Sequence, residues 1–311
     1  MERYDLIYKQ DEADTRFCVR EILKRRLSVS TRLLRRLKYG GGVYCNGLPV
    51  KMNARAAAGD VITVLFPAEE SGFVPEPIPI RVVYEDKDLL VIDKQAGFVV
   101  HPTKGHPAHT IANGLMQRME SGGERYKIRF VNRLDMDTTG LLIVGKNAYC
   151  QEDFARQAAE NKVTKRYEAI VTGLVEADAG RIALPIGKAA EDALRRVVRA
   201  DGFPSETRYR VLERFACGRG YTHLELELGT GRTHQIRVHL AHIGHAVLGD
   251  ALYGEAAPLL AKRQALHAAE LIFRHPRTKE LLRLFAPLPR DMEQLCKRLR
   301  AECGRADNDN G

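Results

Sequence analysis

The chain has 311 residues, a formal net charge of +9 and a hydrophobic content of 44%. This length allows two domains with cores of their own, and the positive charge favours a polyanionic partner. The sequence lacks an apolar run near the ~20 residues of a membrane span, and its acidic, polar start is unlike a signal peptide. We therefore expect a cytoplasmic protein without a membrane partner, whose six cysteines are reduced thiols.

The first part of the chain carries a dense run of basic residues. Residues 17–27 and 30–38 fit two short amphipathic helices, and Ser28 or Ser30 can cap the second one. The pair Asn46-Gly47 predicts a tight hairpin, and residues 61–64 predict a further strand. Such a run is usually a solvated face, but eight cations against one acid over residues 20–38 favour contact with phosphates. The residues expected to bind RNA here are Arg32, Arg35, Arg36 and Lys38.

Residues 13–67 resemble the α-L RNA-binding domain named after ribosomal protein S-four. The similarity lies in LSVSTR at residues 27–32, VYCNG at 43–47 and GDVI at 59–62. The resemblance implies a small N-terminal RNA-binding domain. Residues 68–79 are rich in proline and predict a linker to a second domain at 80–295. A polar tail is expected from residue 296 to residue 311.

The second domain is predicted to be rich in strands. Strands are expected at residues 80–84, 89–92, 141–144, 165–173, 207–212 and 224–228. Helices are expected at residues 110–119 and at 147–159, the latter capped by Asn147. On the strand 165–173, Tyr167 and Ala169 share one face and Glu168 and Ile170 the other. A strand tyrosine is most often part of a core.

A polar turn separates two apolar runs at residues 130–144. Its sequence, NRLDMDTTG, holds Arg133, Asp135 and Asp137, and it ends on Gly140, which can take a positive φ. The pattern predicts a loop that brings Asp135 to the end of a sheet. Taken alone, however, it favours a structural role, in which an aspartate closes an Asx turn or caps a helix.

Four motifs in the second domain, in order, resemble those of the RluA/RluD-type pseudouridine synthases. They are DKQAGFVVHP at residues 93–102, NRLDMDTTG at 132–140, KRYEA at 165–169 and TGRTHQIRVH at 230–239. Gln95 replaces the usual proline of the first motif, which should change the rigidity of a turn rather than the chemistry. The resemblance implies an α+β fold, with a mixed, mostly antiparallel sheet, flanking helices and a cleft across its middle. It also implies an isomerase that acts on RNA and needs no cofactor.

The resemblance assigns Asp135 as the catalytic carboxylate and places Tyr167 in the active site. The family reaction breaks the bond between uracil N1 and the ribose and joins the same ribose carbon to uracil C5. It calls for a carboxylate near that carbon, an arginine that keeps the carboxylate ionised, and an aromatic wall for the base. We expect Arg232, at the start of a helix, to be the arginine that pairs with Asp135. Arg133 and Arg237 are expected to contact RNA.

Other functions remain open at this point. The histidines at 234, 239, 242 and 245 could suggest a zinc hydrolase, but HExxH is absent and we expect no metal. The basic segment would also suit a non-catalytic RNA-binding or ribosome-assembly protein. For an isomerase, large-subunit ribosomal RNA is the expected target, with transfer RNA as the alternative. We expect a monomer.

Overall fold

The computed structural model describes residues 5–40, 42–190, 194–255, 257 and 259–309, without the side chains of 306–309. The N-terminal region contains strands β1 (Leu6–Lys9), β2 (Val43–Cys45), β3 (Leu48–Pro49) and β4 (Val61–Val64). It also contains helices α1 (Val19–Arg25) and α2 (Thr31–Gly40). The four strands form one antiparallel sheet in the order β1-β4-β2-β3. The two helices pack on this sheet around a core of aliphatic side chains.

The N-terminal elements follow from the local sequence. Ser30 caps α2, because its Oγ accepts a hydrogen bond from the backbone N–H of Leu33 at 3.0 Å. Asn46 and Gly47 both have positive φ, of 50° and 81°, as a two-residue hairpin turn requires. The predicted hairpin and the strand at 61–64 are confirmed. One strand lies outside the expected range, since β1 precedes residue 13 and pairs with β4.

The second region is larger and supplies the remaining strands and helices. Its strands are β5 (Arg81–Glu85), β6 (Leu89–Lys94), β7 (Arg129–Phe130), β8 (Thr139–Gly145), β9 (Thr164–Thr172), β10 (Ala179–Ile182), β11 (Ile186–Lys188), β12 (Arg196–Val198), β13 (Thr207–Phe215), β14 (Tyr221–Leu228), β15 (Leu266–Arg274) and β16 (Leu281–Phe285). Its helices are α3 (Ile111–Gly122), α4 (Ala148–Ala159), α5 (Gln235–His242) and α6 (Arg290–Asp309). The expected cap of α4, Asn147, stands at its N-terminus, where its side chain accepts a hydrogen bond from the backbone N–H of Cys150.

A long mixed sheet organises this region. Its strands follow the order β10-β13-β14-β9-β15-β8-β6-β5, with β7 paired to β8 and β16 paired to β15. The β8–β15 pair is parallel, and the other strand pairs of this sheet are antiparallel. The expected α+β fold with a mixed, mostly antiparallel sheet is therefore confirmed. Strands β11 and β12 form a separate hairpin beside α5.

The centre of the sheet is covered on both faces. Every residue of β6 and β8 is buried, as the uninterrupted apolar run at 141–144 predicts. Gly140 has a φ of 107°, and a Cβ there would lie 2.2 Å from the carbonyl oxygen of Ala268 on β15. Only glycine therefore allows β8 to begin so close to β15, directly after the polar turn.

The two regions contact each other directly. The ring of Phe66 stacks on Tyr149 of α4 at a centroid distance of 5.9 Å, and Tyr149 belongs to the N-terminal apolar core. The hydroxyl of Ser30 donates to Glu152 at 2.5 Å. The same α4 therefore packs on the central sheet through one face and on the N-terminal sheet through another. The boundary expected at residues 68–79 stays a prediction.

The C-terminal segment differs from the expected polar tail. Residues 296–309 continue α6, and Cys296 and Leu299 on this helix are buried. Cys303 of α6 forms a disulfide with Cys217, with the two Cα atoms 4.8 Å apart. The expectation of reduced thiols is wrong for this pair, because folding joins residues 86 positions apart in the sequence. In the described residues, no helix is both long and apolar enough to cross a lipid bilayer.

Candidate active site

A cavity of about 410 Å³ opens where the loop between β7 and β8 meets β9 and the N-terminal end of α5. The three residues expected to be catalytic, Asp135, Tyr167 and Arg232, all line it. Other side chains that line the cavity are those of His101, Phe130, Arg133, Leu134, Lys165, Leu228, Thr233, His234, Ile236, Arg237 and Leu266. The walls are thus aliphatic and aromatic, whereas the charged groups gather on the side of the loop and α5.

The loop that carries Asp135 is held from beneath by two cations. The Nζ of Lys94 donates hydrogen bonds to the carbonyl oxygens of Asp135 at 3.2 Å, Met136 at 2.7 Å and Thr138 at 2.9 Å. Arg263 donates to the remaining carbonyl of this turn, that of Asp137, at 2.9 Å. Lys94 is fully buried, and this burial lowers its pKa to about 7, although Asp137 and Asp135 oppose the change. Sequence reasoning missed this support, since carbonyl acceptors leave no trace in the sequence.

Asp135 is the outer member of a chain of three charged groups. Its Oδ2 accepts a hydrogen bond from the Nη1 of Arg237 at 2.9 Å. The Nε and Nη2 of Arg237 donate to the two oxygens of Asp250 at 2.6 Å and 2.8 Å. Asp250 is fully buried, whereas the side chain of Asp135 is 25% exposed. The arginine is thus oriented by a carboxylate behind it, while the carboxylate in front of it stays accessible from the cavity.

The charges in this chain stabilise each other. Burial by itself would lower the pKa of Arg237, but the hydrogen bonds and charges of Asp250 and Asp135 outweigh it and raise the pKa above its usual value. Burial would raise the pKa of Asp250, but the hydrogen bonds and charge of Arg237 lower it. Both groups are therefore ionised at neutral pH. The arrangement presents an ordered, accessible carboxylate to whatever enters the cavity.

Tyr167 lies on β9 at the base of the cavity. Its side chain is buried, and its strand neighbours are Leu226 on β14 and Ala268 on β15. Burial raises the pKa of the phenol, and the charge of Asp135 raises it further. The hydroxyl therefore keeps its proton at neutral pH. The ring is packed in the core, as is usual for a strand tyrosine, and it also lines the cavity, while its part in catalysis stays a prediction.

The expected pairing of Asp135 with Arg232 is wrong. Helix α5 begins at Gln235, so Arg232 lies in the preceding turn rather than in the helix. Its guanidinium lies over the ring of Phe203 at 5.4 Å and donates to the carbonyl oxygen of Pro204 at 3.4 Å. Arg232 is exposed at the cavity rim, and no ion pair joins it to Asp135 in the described residues. The partner of Asp135 is Arg237, in the first turn of α5.

Contact of Arg237 with RNA stays a prediction, and the structure gives this residue another role. Its side chain is buried, and three of its guanidinium nitrogens donate to carboxylates. A signal was present in the sequence, since Arg237 stands between Ile236 and Val238 in a helical run of buried residues. A charge at such a position needs a buried partner, and that partner, Asp250, could not be foreseen from the sequence.

The remaining residues expected to bind RNA are exposed, with one exception. Arg133 lies at the cavity rim, where it donates to the hydroxyl of Thr233. Arg32, Arg35 and Lys38 lie on the exposed side of α2. Arg36 pairs with Glu69 at 2.8 Å, and its side chain is 33% exposed. The charge of Arg36 is therefore already engaged by a carboxylate, so this residue is the weakest of the set as a phosphate ligand.

The histidines at 234, 239 and 245 have protein partners. His239 is buried, and its two ring nitrogens lie 2.9 Å from the Oγ1 of Thr207 and 2.9 Å from the carbonyl oxygen of Leu184. His245 lies 3.0 Å from the carbonyl oxygen of Thr172. These two rings are therefore used in ordinary hydrogen bonds to neighbouring segments of the chain.

The chain matches a family of known sequences. The family model described as RNA pseudouridylate synthase matches residues 88–242, a range that contains Asp135, Tyr167 and Arg237. An uncharacterised RNA pseudouridine synthase of Bacillus subtilis, YlyB, is 42% identical over 84% of this chain and 86% of its own length. The ribosomal large subunit pseudouridine synthase D of Pasteurella multocida is 39% identical over 84% of each chain.

Solved structures show the same fold. The human RNA pseudouridylate synthase domain containing 1 superposes with a TM-score of 0.56 at 28% identity, over 75% of this chain and 98% of its own. The human RNA pseudouridylate synthase domain containing 4 gives a TM-score of 0.57 at 25% identity, over 71% and 93% of the two chains. This chain, including its motifs at 93–102, 132–140, 165–169 and 230–239, thus has the fold of these two human proteins.

Proposed function

This chain belongs to the RNA pseudouridylate synthase family and is an RNA isomerase, and from that premise we propose that it modifies large-subunit ribosomal RNA. The names of several relatives favour this target, since those of Pasteurella multocida and Haemophilus influenzae are ribosomal large subunit enzymes. Transfer RNA is the alternative target. The expected location is the cytoplasm, where a bacterial enzyme meets ribosomal RNA. The expected oligomeric state is a monomer.

The proposed catalytic group is Asp135. The reaction moves a ribose carbon from uracil N1 to uracil C5, so nothing is oxidised and no group is imported, and no cofactor is required. A carboxylate beside that ribose carbon can act as a nucleophile, as an electrostatic stabiliser or as a proton acceptor. The observation that carries the proposal is the Asp135–Arg237–Asp250 chain, which holds the carboxylate of Asp135 against a guanidinium and leaves it accessible in a cavity that also has apolar and aromatic walls.

Tyr167 and Arg237 have supporting roles in this proposal. The ring of Tyr167 lines the cavity and is placed to stack on a uracil taken out of its RNA stack. Its hydroxyl, which keeps its own proton, can also form a hydrogen bond to the uracil while the proton of C5 leaves late in the reaction. Arg237 orients Asp135 and replaces Arg232 as the proposed basic partner. Arg232 and Arg133 lie at the rim, where they can bind phosphates of the RNA strand.

We assign RNA binding to the N-terminal region as well. A groove there is lined by five cations and by an exposed tyrosine, Tyr39. The cations are Arg20, Lys24, Arg35, Lys38 and Lys51. Cations that surround an exposed aromatic ring suit a structured RNA, whose phosphates and unstacked bases both find partners. This supports the domain at 13–67 as an RNA-binding module.

The target is tested by chemical mapping of pseudouridines. Ribosomal and transfer RNA from cells with and without this protein would be mapped, and a strain carrying Asp135→Asn would serve as the control. We expect one or more sites in large-subunit ribosomal RNA to disappear in both the deletion and the variant strain. Loss of sites in transfer RNA alone would contradict the proposed target, and sites that persist in the Asp135→Asn strain would contradict the proposed catalytic residue.

A further inference from the structure

The residue directly before α5 has an unusual backbone conformation. His234 has φ 56° and ψ 20°, in the left-handed region, which side-chain-bearing residues seldom adopt. Its side chain lines the cavity and is only 10% exposed. Because the residue does not continue the helical conformation of α5, its ring lies between Asp135 and Tyr253. Neither the family reaction as described above nor the N-terminal module accounts for this histidine.

One ring nitrogen of His234 is occupied by a tyrosine hydroxyl. The Nδ1 of His234 lies 2.7 Å from the hydroxyl oxygen of Tyr253, which also accepts a hydrogen bond from the backbone N–H of Arg196 at 2.8 Å. Within the described ranges, Nδ1 is the one acceptor within hydrogen-bond distance of this hydroxyl. The hydroxyl therefore donates to Nδ1, and the proton of the neutral ring stands on Nε2.

The other ring nitrogen faces the proposed catalytic carboxylate. The Nε2 of His234 lies 3.8 Å from the Oδ1 of Asp135, whereas Arg237 holds the Oδ2 at 2.9 Å. In the part of the chain that the structure describes, Oδ1 accepts no hydrogen bond from protein. Oδ1 therefore has one lone pair available for the substrate and one for a further donor. Hydrogen bonds of catalytic groups are often long in the free enzyme and shorten when the substrate binds.

We infer that His234 is a positioning residue for Asp135, whose Nε2–H becomes a hydrogen-bond donor to Oδ1 when RNA occupies the cavity. The inference rests on the proposed catalytic role of Asp135. With Arg237 on Oδ2 and His234 on Oδ1, the plane of the carboxylate is held on both sides. Tyr253 supports both donors, because its hydroxyl sets the tautomer of His234 and its ring lies 5.0 Å from the guanidinium carbon of Arg237.

A neutral ring suits this role. Burial lowers the pKa of His234, and the positive charges of Arg237 and Arg196 lower it further, against the opposite effect of Asp135 and Asp250. A neutral donor orients Oδ1 without a second full positive charge, which would make the carboxylate a weaker nucleophile and a weaker proton acceptor. The arrangement therefore separates two tasks, since Arg237 stabilises the charge of Asp135 and His234 orients it.

The test compares three replacements of His234 by single-turnover tritium release. The substrate is total RNA labelled with [5-³H]uridine, from cells that lack this protein, and joining ribose to C5 releases the label. His234→Gln places an amide donor near the position of Nε2. His234→Asn tolerates the left-handed backbone, but its amide donor lies near the position of Nδ1. His234→Ala has no side-chain donor. We expect His234→Ala to lower the rate constant about ten- to hundredfold, the factor that one hydrogen bond to a charged group is worth.

The ranking of the rate constants of the three variants tests whether the donor at Nε2 is what matters. We expect His234→Gln to keep most of the rate, His234→Asn and His234→Ala to lose it, and the Kd for RNA to stay within about twofold in filter binding. A wild-type rate in His234→Asn together with a low rate in His234→Gln would overturn the inference, since only the backbone would then matter. Rates within twofold of wild type in all three variants would overturn it as well.

A second site keeps the inference testable if a His234 variant unfolds. Tyr253→Phe removes the hydroxyl but leaves the ring beside Arg237, and we expect a lower rate constant with an unchanged Kd. An unchanged rate would overturn the part assigned to the hydroxyl. Wild-type protein and Asp135→Asn are measured in the same assay. If the wild type releases no tritium, or if Asp135→Asn does release it, the proposed function itself is contradicted. Either result differs from a failure of the inference, in which only the His234 variants depart from expectation.

Discussion

Replacement of Arg237 by methionine tests the charged chain of the active site most directly. The variant keeps an unbranched side chain of similar length but removes the guanidinium. Asp250 is fully buried and would retain only the backbone N–H groups of Leu252 and Tyr253, at 2.9 Å and 3.2 Å, as donors. Removal of one partner from a buried ion pair costs about 3–5 kcal/mol, out of a total stability of about 5–15 kcal/mol for a typical protein.

The matched control is Arg232→Met, on the residue that the sequence favours as the partner of Asp135. Arg232 is exposed, and its guanidinium contacts Phe203 and Pro204, so we expect the free energy of unfolding of Arg232→Met to differ from that of the wild type by less than about 0.5 kcal/mol. Urea unfolding followed by circular dichroism would measure both variants. Equal midpoints for the two variants would refute the reasoning, because they would mean that Asp250 does not depend on Arg237.

The loss of stability in Arg237→Met should depend on pH, and the direction of this dependence follows from the pKa of Asp250. In the wild-type protein Arg237 lowers the pKa of Asp250, so the stabilisation is present above the unfolded carboxyl pKa of about 3.9 and is lost as the pH falls. In Arg237→Met the guanidinium is absent, and burial raises the folded-state pKa of Asp250 against the smaller opposite effect of the hydrogen bonds from the backbone N–H groups of Leu252 and Tyr253. The variant then gains a proton on folding, so its deficit should be largest near pH 7 and shrink towards pH 4. Unfolding at both pH values, with Arg237→Met/Asp250→Asn as a second control, checks this.

Three further predictions concern the cavity, the strand beside it and the N-terminal surface. Tyr167→Phe keeps the packed ring but removes the hydroxyl, so we expect tritium release to slow by at least about tenfold with thermal stability nearly unchanged, and full activity would refute a role for the hydroxyl. Gly140→Ala places a Cβ 2.2 Å from the carbonyl oxygen of Ala268 at a φ of 107°, so we expect a loss of at least about 2 kcal/mol in urea unfolding. Charge reversal at Arg32 and Arg35 should weaken RNA binding about tenfold and make the affinity depend less steeply on salt. The single-turnover rate at saturating RNA should stay unchanged, and an unaltered Kd would contradict RNA binding by these two residues.

Local patterns account for much of the agreement between sequence and structure. The apolar run at 141–144, the alternation at 224–228 and the cap at Asn147 each depend on neighbours within a few residues, and each appears as expected. The family motifs placed Asp135 and Tyr167 in one cavity, because they lie on a loop and a strand of the same sheet. The errors concern longer distances, as in the helix that continues over 296–309 with Cys296 and Leu299 buried, and in the disulfide of Cys217 with Cys303.

By itself, the sequence determined many of the strands and helices and the loop that carries Asp135, since hydrophobic periodicity and turn residues act over short stretches of chain, and the resemblance of the motifs supplied the class of fold. Only the tertiary structure decided which arginine meets that carboxylate. The choice of Arg237 over Arg232 depends on the residue at which α5 begins, on the buried Asp250 behind it and on the left-handed turn at His234. The contact of Asp135 with Arg237 joins residues 102 positions apart in the sequence, and the energy of a buried charge depends on every group packed around it.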